Sequence, residues 1–423
     1  KLLRSGENEL RIVFASPNQA CRDAAAKYPE IDFLQMGSIM GPFALRKAHC
    51  MFGWDWGPVL PDAGIWRTIR LESRSDARIE QVQLHQAHED GRVSVTVNTL
   101  LSETQDGLTV TAELLAPDGS RLDRKDAPVG QPIVFAVDEP QLWYPSGLGA
   151  HPLYTVCVTV NDPDHNVADV WRRRIGLRTL TIHRQKDEWG EAFNFRCNGL
   201  DVFAMGGDYI PEDNILARVN KERTRRLLQD AVDANHNCVR VWGGGYYPDD
   251  FFFDLCDEMG LIVWLDLMFA CYVYALSDAF NESIVAEARD NLLRVRDHAC
   301  LGLVCGNNEL EAGWCGWGWS EKYGAKLKED YRYQFEELLA GAAKDYAPDL
   351  FYWPSSPSSG GNFDEPYDPN RGDVHYWEVW HGKKPFTDYR TYYFRFCSEF
   401  GFESFPSRKT VDTFAHGRDL NIF

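Results

Sequence analysis

The sequence has no apolar run of membrane-spanning length. Even Gly260-Leu-Ile-Val-Trp-Leu265 is broken at once by Asp266. It has no basic excess either. Its 44 Lys and Arg stand against 63 Asp and Glu, a formal charge of −19, which argues against nucleic acid and against anionic membranes as partners. Cysteine is not scarce, but it lacks pattern. The 11 cysteines are odd in number and scattered, with no Cys-x-x-Cys pair. Cys238, Cys305 and Cys397 sit inside apolar runs and read as reduced, buried small hydrophobes, which favours a reducing, cytoplasmic compartment. No cluster with metal-ligand spacing occurs, so the expectation is no metal and no cofactor. Asn281-Glu-Ser283 matches a glycosylation acceptor, but its setting reads as a helix cap. The chain starts at Lys1, already in mid-pattern, so any targeting segment is expected upstream.

A length of 423 residues leads to an expectation of two to four domains, and 44% hydrophobic with 25% charged residues describes soluble, globular material. Aromatics are abundant, at 13% with 14 Trp. Flat aromatic faces suit the C–H faces of sugars, and they equally suit large cores.

Three zones follow one another. Residues 1–74 read as strands, notably Glu9-Leu-Arg-Ile-Val-Phe14 and the alternating Gly64-Ile-Trp-Arg-Thr-Ile-Arg-Leu-Glu72. Between them, Phe52-Gly-Trp-Asp-Trp-Gly-Pro58 could hold a carboxylate between aromatic walls; on local sequence alone a structural corner is the readier reading. Residues 75–178 alternate at period two in Arg78–Leu84, Arg92–Val97, Leu108–Leu114 and Leu153–Val160, which predicts an immunoglobulin-like β-sandwich serving as a spacer. Residues 179–423 change to strand–helix repeats. Predicted strands are Val202–Met205, Cys238–Trp242, Leu261–Leu265, Leu301–Cys305, Leu350–Trp353, Asp373–Trp377 and Tyr393–Cys397, with helices over Lys221–Asn235, Pro248–Met259 and Ser283–Ala299. Such repeats imply a parallel sheet, most simply a (β/α)8 TIM barrel, with the eighth strand expected beyond Phe423.

In that barrel Glu309 ends the fourth strand and Glu399 the seventh. Carboxyls at the mouths of buried strands are costly without a purpose. Strands four and seven lie nearly opposite, so the two can converge at the catalytic end of a barrel, where glycoside hydrolysis needs one proton donor and one nucleophile or base. Asp208, Arg240 with Trp242, Asp266, Asn308, and His375 with Trp377 fall at strand ends too. Each singly reads as a core aromatic, a cap or an internal ion pair; a ring of them at one face is harder to attribute to chance.

Several motifs are spread along essentially the whole chain. They are Arg46-Lys-Ala-His-Cys-Met-Phe-Gly-Trp-Asp-Trp-Gly-Pro58, Gly64-Ile-Trp-Arg67, Leu142-Trp-Tyr-Pro-Ser-Gly-Leu-Gly149, Gly206-Gly-Asp-Tyr-Ile-Pro211, Gly306-Asn-Asn-Glu309, His375-Tyr-Trp377 and Ser398-Glu-Phe-Gly401. In these the chain resembles glycoside hydrolase family 2, and within it the β-mannosidases. The resemblance implies a partial jelly-roll-like sugar-binding domain, an immunoglobulin-like sandwich and a catalytic barrel. It implies Glu309 as general acid/base and Glu399 as nucleophile. It also implies substrate-binding roles for Trp54, Asp55, Arg46, Asn308, Arg240, Trp242, His375, Tyr376, Trp377 and Asp208, the last standing where many relatives have Asn. The implied reaction is retaining and exo-acting, releasing terminal β-mannose from an oligosaccharide or glycoconjugate. Glu309 would then start protonated, its pKa raised by burial and by the charge of Glu399. The alternatives are another family 2 exo-glycosidase, such as an exo-β-glucosaminidase or β-galactosidase, and a non-catalytic carbohydrate-binding remnant. Family members extend past both ends of this chain, so residues 1–423 alone are expected to be unstable and inactive.

Overall fold

The structure, a computed structural model, describes residues 3–33, 37–73, 77–103 and 106–420. The expected boundary at 74/75 lies outside the described residues.

The middle zone is a sandwich of two antiparallel sheets. One holds Ile79–Glu89, Arg92–Leu101 and Ile133–Asp138; the other orders Arg121–Pro128, Thr109–Leu115, Tyr154–Asn161 and Val167–Ile175. Period-two alternation sends Val93, Val95, Val97, Phe135 and Val137 of one sheet against Val110, Ala112, Leu114, Val156, Val158 and Val160 of the other. Arg121–Pro128 and Val167–Ile175 are the two edges of the four-stranded sheet. Their charged faces, which suit an edge, are also what concealed them from a reading by apolar alternation.

The first zone departs from expectation. Its described residues form a helix, Pro17–Lys27, two short 3-10 turns and one hairpin of Phe52–Trp54 with Gly57–Val59. The strands expected over 9–14 and 64–72 do not form. Each keeps its alternation, but neither has a ladder neighbour among the described residues, and Leu10, Val13, Ile69 and Leu71 stand exposed.

Among the described residues, the third zone holds seven strands paired in parallel, in sheets of five and two. The first five are Gly206–Tyr209, Cys238–Val241, Ile262–Asp266, Leu301–Cys305 and Phe351–Trp353, hydrogen-bonded in that order; Val374–Tyr376 pairs with Cys397–Phe400. The described residues do not close into a barrel. A single bridge, Ser358 to Asp373, links the segment after the fifth strand to the residue before the sixth. A cleft of about 850 Å³ separates the first strand from the seventh. The expected first strand is displaced: Leu200–Val202 belongs to an antiparallel hairpin with Asn194–Cys197, and the parallel strand begins at Gly206. A Cβ at Gly206 would lie 1.9 Å from the Cys238 carbonyl oxygen, so this close strand contact demands glycine. The seventh strand is also displaced, from 393–397 to Cys397–Phe400.

Three of the helices are Lys221–Asp233, Asp250–Met259 and Asp278–Val295. The last starts earlier than expected, capped by Ser277 accepting from the Phe280 N–H, so Asn281 lies inside the helix and not at its cap. Gly260 closes the second at φ 71.

The sandwich is bolted to the end of the parallel strands remote from the glutamates. The Trp143 indole N–H donates to the Asp257 carbonyl at 2.9 Å, Ser146 N to Gly260 O at 2.8 Å, and the Arg178 guanidinium to the carbonyls of Ala299 and Leu301. Trp143 is wholly buried. Trp143→Ala should destabilise the protein by about 3–5 kcal/mol, read as an earlier transition in urea followed by circular dichroism. An unmoved transition would mean that this seam does not support the fold.

Candidate active site

The fourth parallel strand is buried along its length, and the chain leaves it through Gly306-Asn-Asn-Glu309. Asn308 N donates to Phe269 O at 2.9 Å and Glu309 N to Ser356 O at 2.7 Å, which fixes the turn from both sides. Glu309 adopts φ 67, a left-handed conformation unusual for a non-glycine residue, and the helix Leu310–Gly316 starts directly after it. Glu399 lies within the seventh strand, in register with His375 of the sixth.

These groups meet on one cavity of about 1080 Å³. One ligand atom each from Glu309, His375 and Glu399 lie within 4.8 Å of one another. His375 Nδ1 is 2.9 Å from Glu309 Oε1 and 3.4 Å from Glu399 Oε2. Trp377 donates its indole N–H to Glu399 Oε2 at 3.0 Å. Beneath them lies Arg240, from the second strand. Its guanidinium donates to Glu399 Oε1 at 2.5 Å, to Asn308 Oδ1 at 2.7 Å and to Asp266 Oδ2 at 2.7 Å, with Asp208 Oδ1 at 3.4 Å. Burial penalises its charge, but Asp266, Asp208 and Glu399 hold its pKa above the ordinary value.

Across the cavity the hairpin of the first zone inserts its tip, Asp55-Trp56, beside the parallel strands. Trp54 is buried, its ring edge-on to Trp242 at 4.8 Å. Gly53 permits this: at φ 107, a Cβ would fall 2.1 Å from the Gly37 carbonyl oxygen. Burial pushes the Asp55 carboxyl above its usual range, against the charge of His381.

Of the residues singled out in the sequence, Trp54, Asp55, Asp208, Trp242, Asn308, Glu309, His375, Tyr376, Trp377 and Glu399 all line the cavity. Arg240 lies behind its floor and reaches it through Glu399 and Asn308. Arg46 does not belong. It points into a different cleft, pairs with Glu287 at 2.7 Å, donates to Met268 O and lies over the Phe269 ring, so it joins the first zone to the helix Asp278–Val295. The expected protonation of Glu309 also differs. Burial raises its pKa as foreseen, but hydrogen bonds from His375 and Cys271 and the charge of Arg240 outweigh it, leaving it below the usual carboxylate value. Cys271, Phe33, Trp317, Tyr367, Trp380, His381 and Lys384 line the cavity as well and were not foreseen. The aromatic run Trp314-Cys-Gly-Trp-Gly-Trp319 could have flagged Trp317; nothing local marks Cys271.

Among the described residues, two groups of side chains could offer metal ligands: Glu309, His375 and Glu399 in the cavity, and the buried Asp257, His298 and Cys300. In the second, Asp257 already accepts from His298 Nδ1 at 2.6 Å and from Cys300 N at 2.8 Å, the pattern of a hydrogen-bonded knot.

Comparison with known proteins follows the same lines. The description "Glycosyl hydrolase 2 galactose-binding domain-like" matches residues 1–67, and "Glycosyl hydrolases family 2" matches 77–178. Beta-mannosidase B of Aspergillus flavus is 35% identical over 424 residues, 97% of this chain and 50% of the relative; that of Aspergillus clavatus is 37% identical over 430 residues, again covering 97% and 50%. The chain thus spans about half the length of the curated relatives it matches. A solved Beta-D-Mannosidase from Dictyoglomus thermophilum superposes with TM-score 0.85 at 32% identity, over 95% of this chain and 49% of that one. A Parabacteroides merdae Beta-Glucuronidase, TM-score 0.58 at 19% identity over 74% of this chain and 38% of that one, shares the fold.

Burial and the charge of Glu399 push Asp208 up to about 8, against the pull of Arg240 and His375. An unfolded Asp titrates near pH 4, so folding favours its neutral form. Its contribution to stability is whole below about pH 4 and is lost as the pH rises through the folded value. Asp208→Asn, which cannot ionise, should therefore gain melting temperature relative to the parent as pH goes from about 5 to about 9. A difference that stays flat or falls would contradict this.

Proposed function

This chain belongs to glycoside hydrolase family 2, and on that premise we propose that it is the catalytic portion of a retaining, exo-acting β-mannosidase. Residues 1–74 are read as sugar-binding, 75–178 as a spacer and 179–423 as the catalytic part. The two parallel sheets are read as an arc of a (β/α)8 barrel. The single observation that carries the proposal is the approach of Glu309 and Glu399 from the fourth and seventh strands, with oxygens and the His375 nitrogen within 4.8 Å. Retaining glycosidases place their carboxyls about 5–5.5 Å apart, whereas inverting ones leave roughly 6.5–9.5 Å for a water.

In the reaction, Glu399 attacks the anomeric carbon as the glycosidic bond breaks, and Glu309 protonates the departing oxygen. Water then displaces the enzyme ester, losing its proton to Glu309. Arg240 and Trp377 hold Glu399 by one hydrogen bond on each oxygen, which aims it and stabilises its charge. Asn308, itself fixed by Arg240, faces the cavity where a sugar hydroxyl next to the reacting carbon would lie. Trp54 and Asp55 line the cavity, and their hairpin closing one end of it would limit the enzyme to removal of a single terminal sugar. The beta-mannosidases among its relatives support mannose as that sugar.

Glu399→Ala in the intact protein should abolish hydrolysis of an aryl β-mannoside, and retained turnover would remove it as nucleophile. Proton NMR should show the β-anomer of mannose forming first; the α-anomer first would refute retention. Aryl glucosaminide and galactoside turnover above that of the mannoside would move the specificity elsewhere in the family.

A further inference from the structure

The acid/base role of Glu309 raises a difficulty: the structure holds this carboxyl below its usual pKa, while its task requires a proton. The hydrogen bonds around His375 resolve it. Asp373 is wholly buried and accepts four donors: Trp353 Nε1 at 2.7 Å, Ser356 Oγ at 2.6 Å, Ser398 Oγ at 2.5 Å and Ser358 N at 3.0 Å. Four donors converging on one carboxyl mark an acceptor-only, ionised group. Ser356 spends its one hydroxyl proton on Asp373, so its oxygen is an acceptor toward His375 Nε2, 3.0 Å away. Nε2 therefore carries a hydrogen. On the other side of the ring, Nδ1 lies 2.9 Å from Glu309 Oε1. Two bare acceptors would repel at that distance, so one proton occupies this link, either on nitrogen or on oxygen. Glu309 Oε2 has its own donor: Asn308 Nδ2 donates to Cys271 Sγ at 3.3 Å, which leaves the thiol hydrogen for Glu309 Oε2 at 3.1 Å.

We propose that His375 is the reservoir of the general-acid proton, and that Ser356 and Asp373 are positioning residues that pin its Nε2–H and leave Nδ1 to exchange that proton with Glu309. The proposal rests on the acid/base reading of Glu309. The charged groups facing the pair agree with it. Glu399 and Glu309 hold the imidazole above its ordinary pKa against burial and against Arg240, and Asp208 adds a further carboxyl on the same side. Toward Glu309 stand Cys271, Asp55 and Tyr367. Before substrate enters, the proton rests on Nδ1. As the glycosidic bond breaks, that proton passes from Nδ1 to Glu309 and from Glu309 to the leaving oxygen, leaving neutral imidazole with Nε2–H and an ionised Glu309. When water attacks the enzyme ester, its proton reaches Glu309 and returns to Nδ1. One proton leaves and one enters per turnover, and no other reactant is needed.

The test uses the intact protein with Ser356→Ala, Asp373→Asn and the conservative Ser356→Thr, assayed on a phenyl β-mannoside, whose leaving group needs a proton, and on a dinitrophenyl β-mannoside, whose leaving group does not. General acid catalysis is worth about 10²–10⁴-fold; loosening its proton supply should cost the phenyl substrate about tenfold or more, leave the dinitrophenyl substrate within about twofold, and be restored by Thr. Ser356 accepts from Nε2–H and Asp373 holds it in that role, which favours the imidazolium, so in the S356A and D373N proteins the basic limb of kcat/KM against pH should move to lower pH. Equal losses on both substrates with an unmoved basic limb, or no loss at all, would overturn the proposal. Glu309→Ala separates the two levels. If it impairs both substrates alike and azide does not restore the dinitrophenyl rate, the acid/base reading itself fails and the reservoir falls with it. If azide restores that rate, the reading stands and the Ser356 and Asp373 variants alone decide.

Discussion

One buried guanidinium organises this site. Among the described residues, Arg240 is the cation of the cavity floor that contacts Asp266, Glu399 and Asn308 at once, with Asp208 at its margin. Two buried carboxyls, Asp266 and Glu399, share this one cation, and the desolvation involved is tolerable because each also accepts from other donors. Asp266 accepts from the Trp264 indole and Gly243 N, and Glu399 from the Trp377 indole. Removing the cation would leave those carboxyls buried and uncompensated, a loss on the order of 3–5 kcal/mol in buried pairs elsewhere. The second, third, fourth and seventh strands are thus tied through one side chain, and the position of Glu399 depends on the whole set.

That arrangement also explains the unusual backbone at Glu309. Asn308 is held by Arg240 through its side chain, while its backbone and that of Glu309 are fixed by Phe269, Cys271 and Ser356. With both neighbours pinned, the chain turns by placing Glu309 in the left-handed region and not by moving the strand end. A non-glycine residue in this region costs on the order of 1–3 kcal/mol, which the hydrogen bonds that impose it must offset.

The sequence made much of this visible, and the gaps have physical causes. The fourth strand coincides with its expected span because both faces are buried and the apolar run is continuous, whereas the first and seventh were displaced by several residues. Gly206-Gly207 carries no apolar signal, and Tyr392-Tyr-Phe-Arg-Phe396, rich in β-formers, is mostly loop whose rings Tyr392 and Phe394 cluster with Tyr376 beside the cavity. The first-zone strands failed because alternation predicts a face but cannot supply a neighbour. Most site residues were legible as polar or aromatic groups at strand ends. Arg46 misled because a motif places a residue in sequence and not in space. Cys271 escaped because a thiol beside a carboxylate looks, in one dimension, like any buried cysteine.

The hairpin bearing Trp54 and Asp55 has a further consequence for how such a pocket changes over evolutionary time. One wall is encoded far upstream of the other, and Gly53, pressed against the Gly37 carbonyl, allows no side chain between them. On the function proposed above, part of the specificity would lie outside the strands that bear the glutamates. A chimaera that kept those strands and exchanged the upstream segment would retain its chemistry and acquire a different vestibule. Residues around the hairpin are accordingly expected to co-vary with Trp242 and Tyr272, which meet its rings, more than with their own neighbours in the chain.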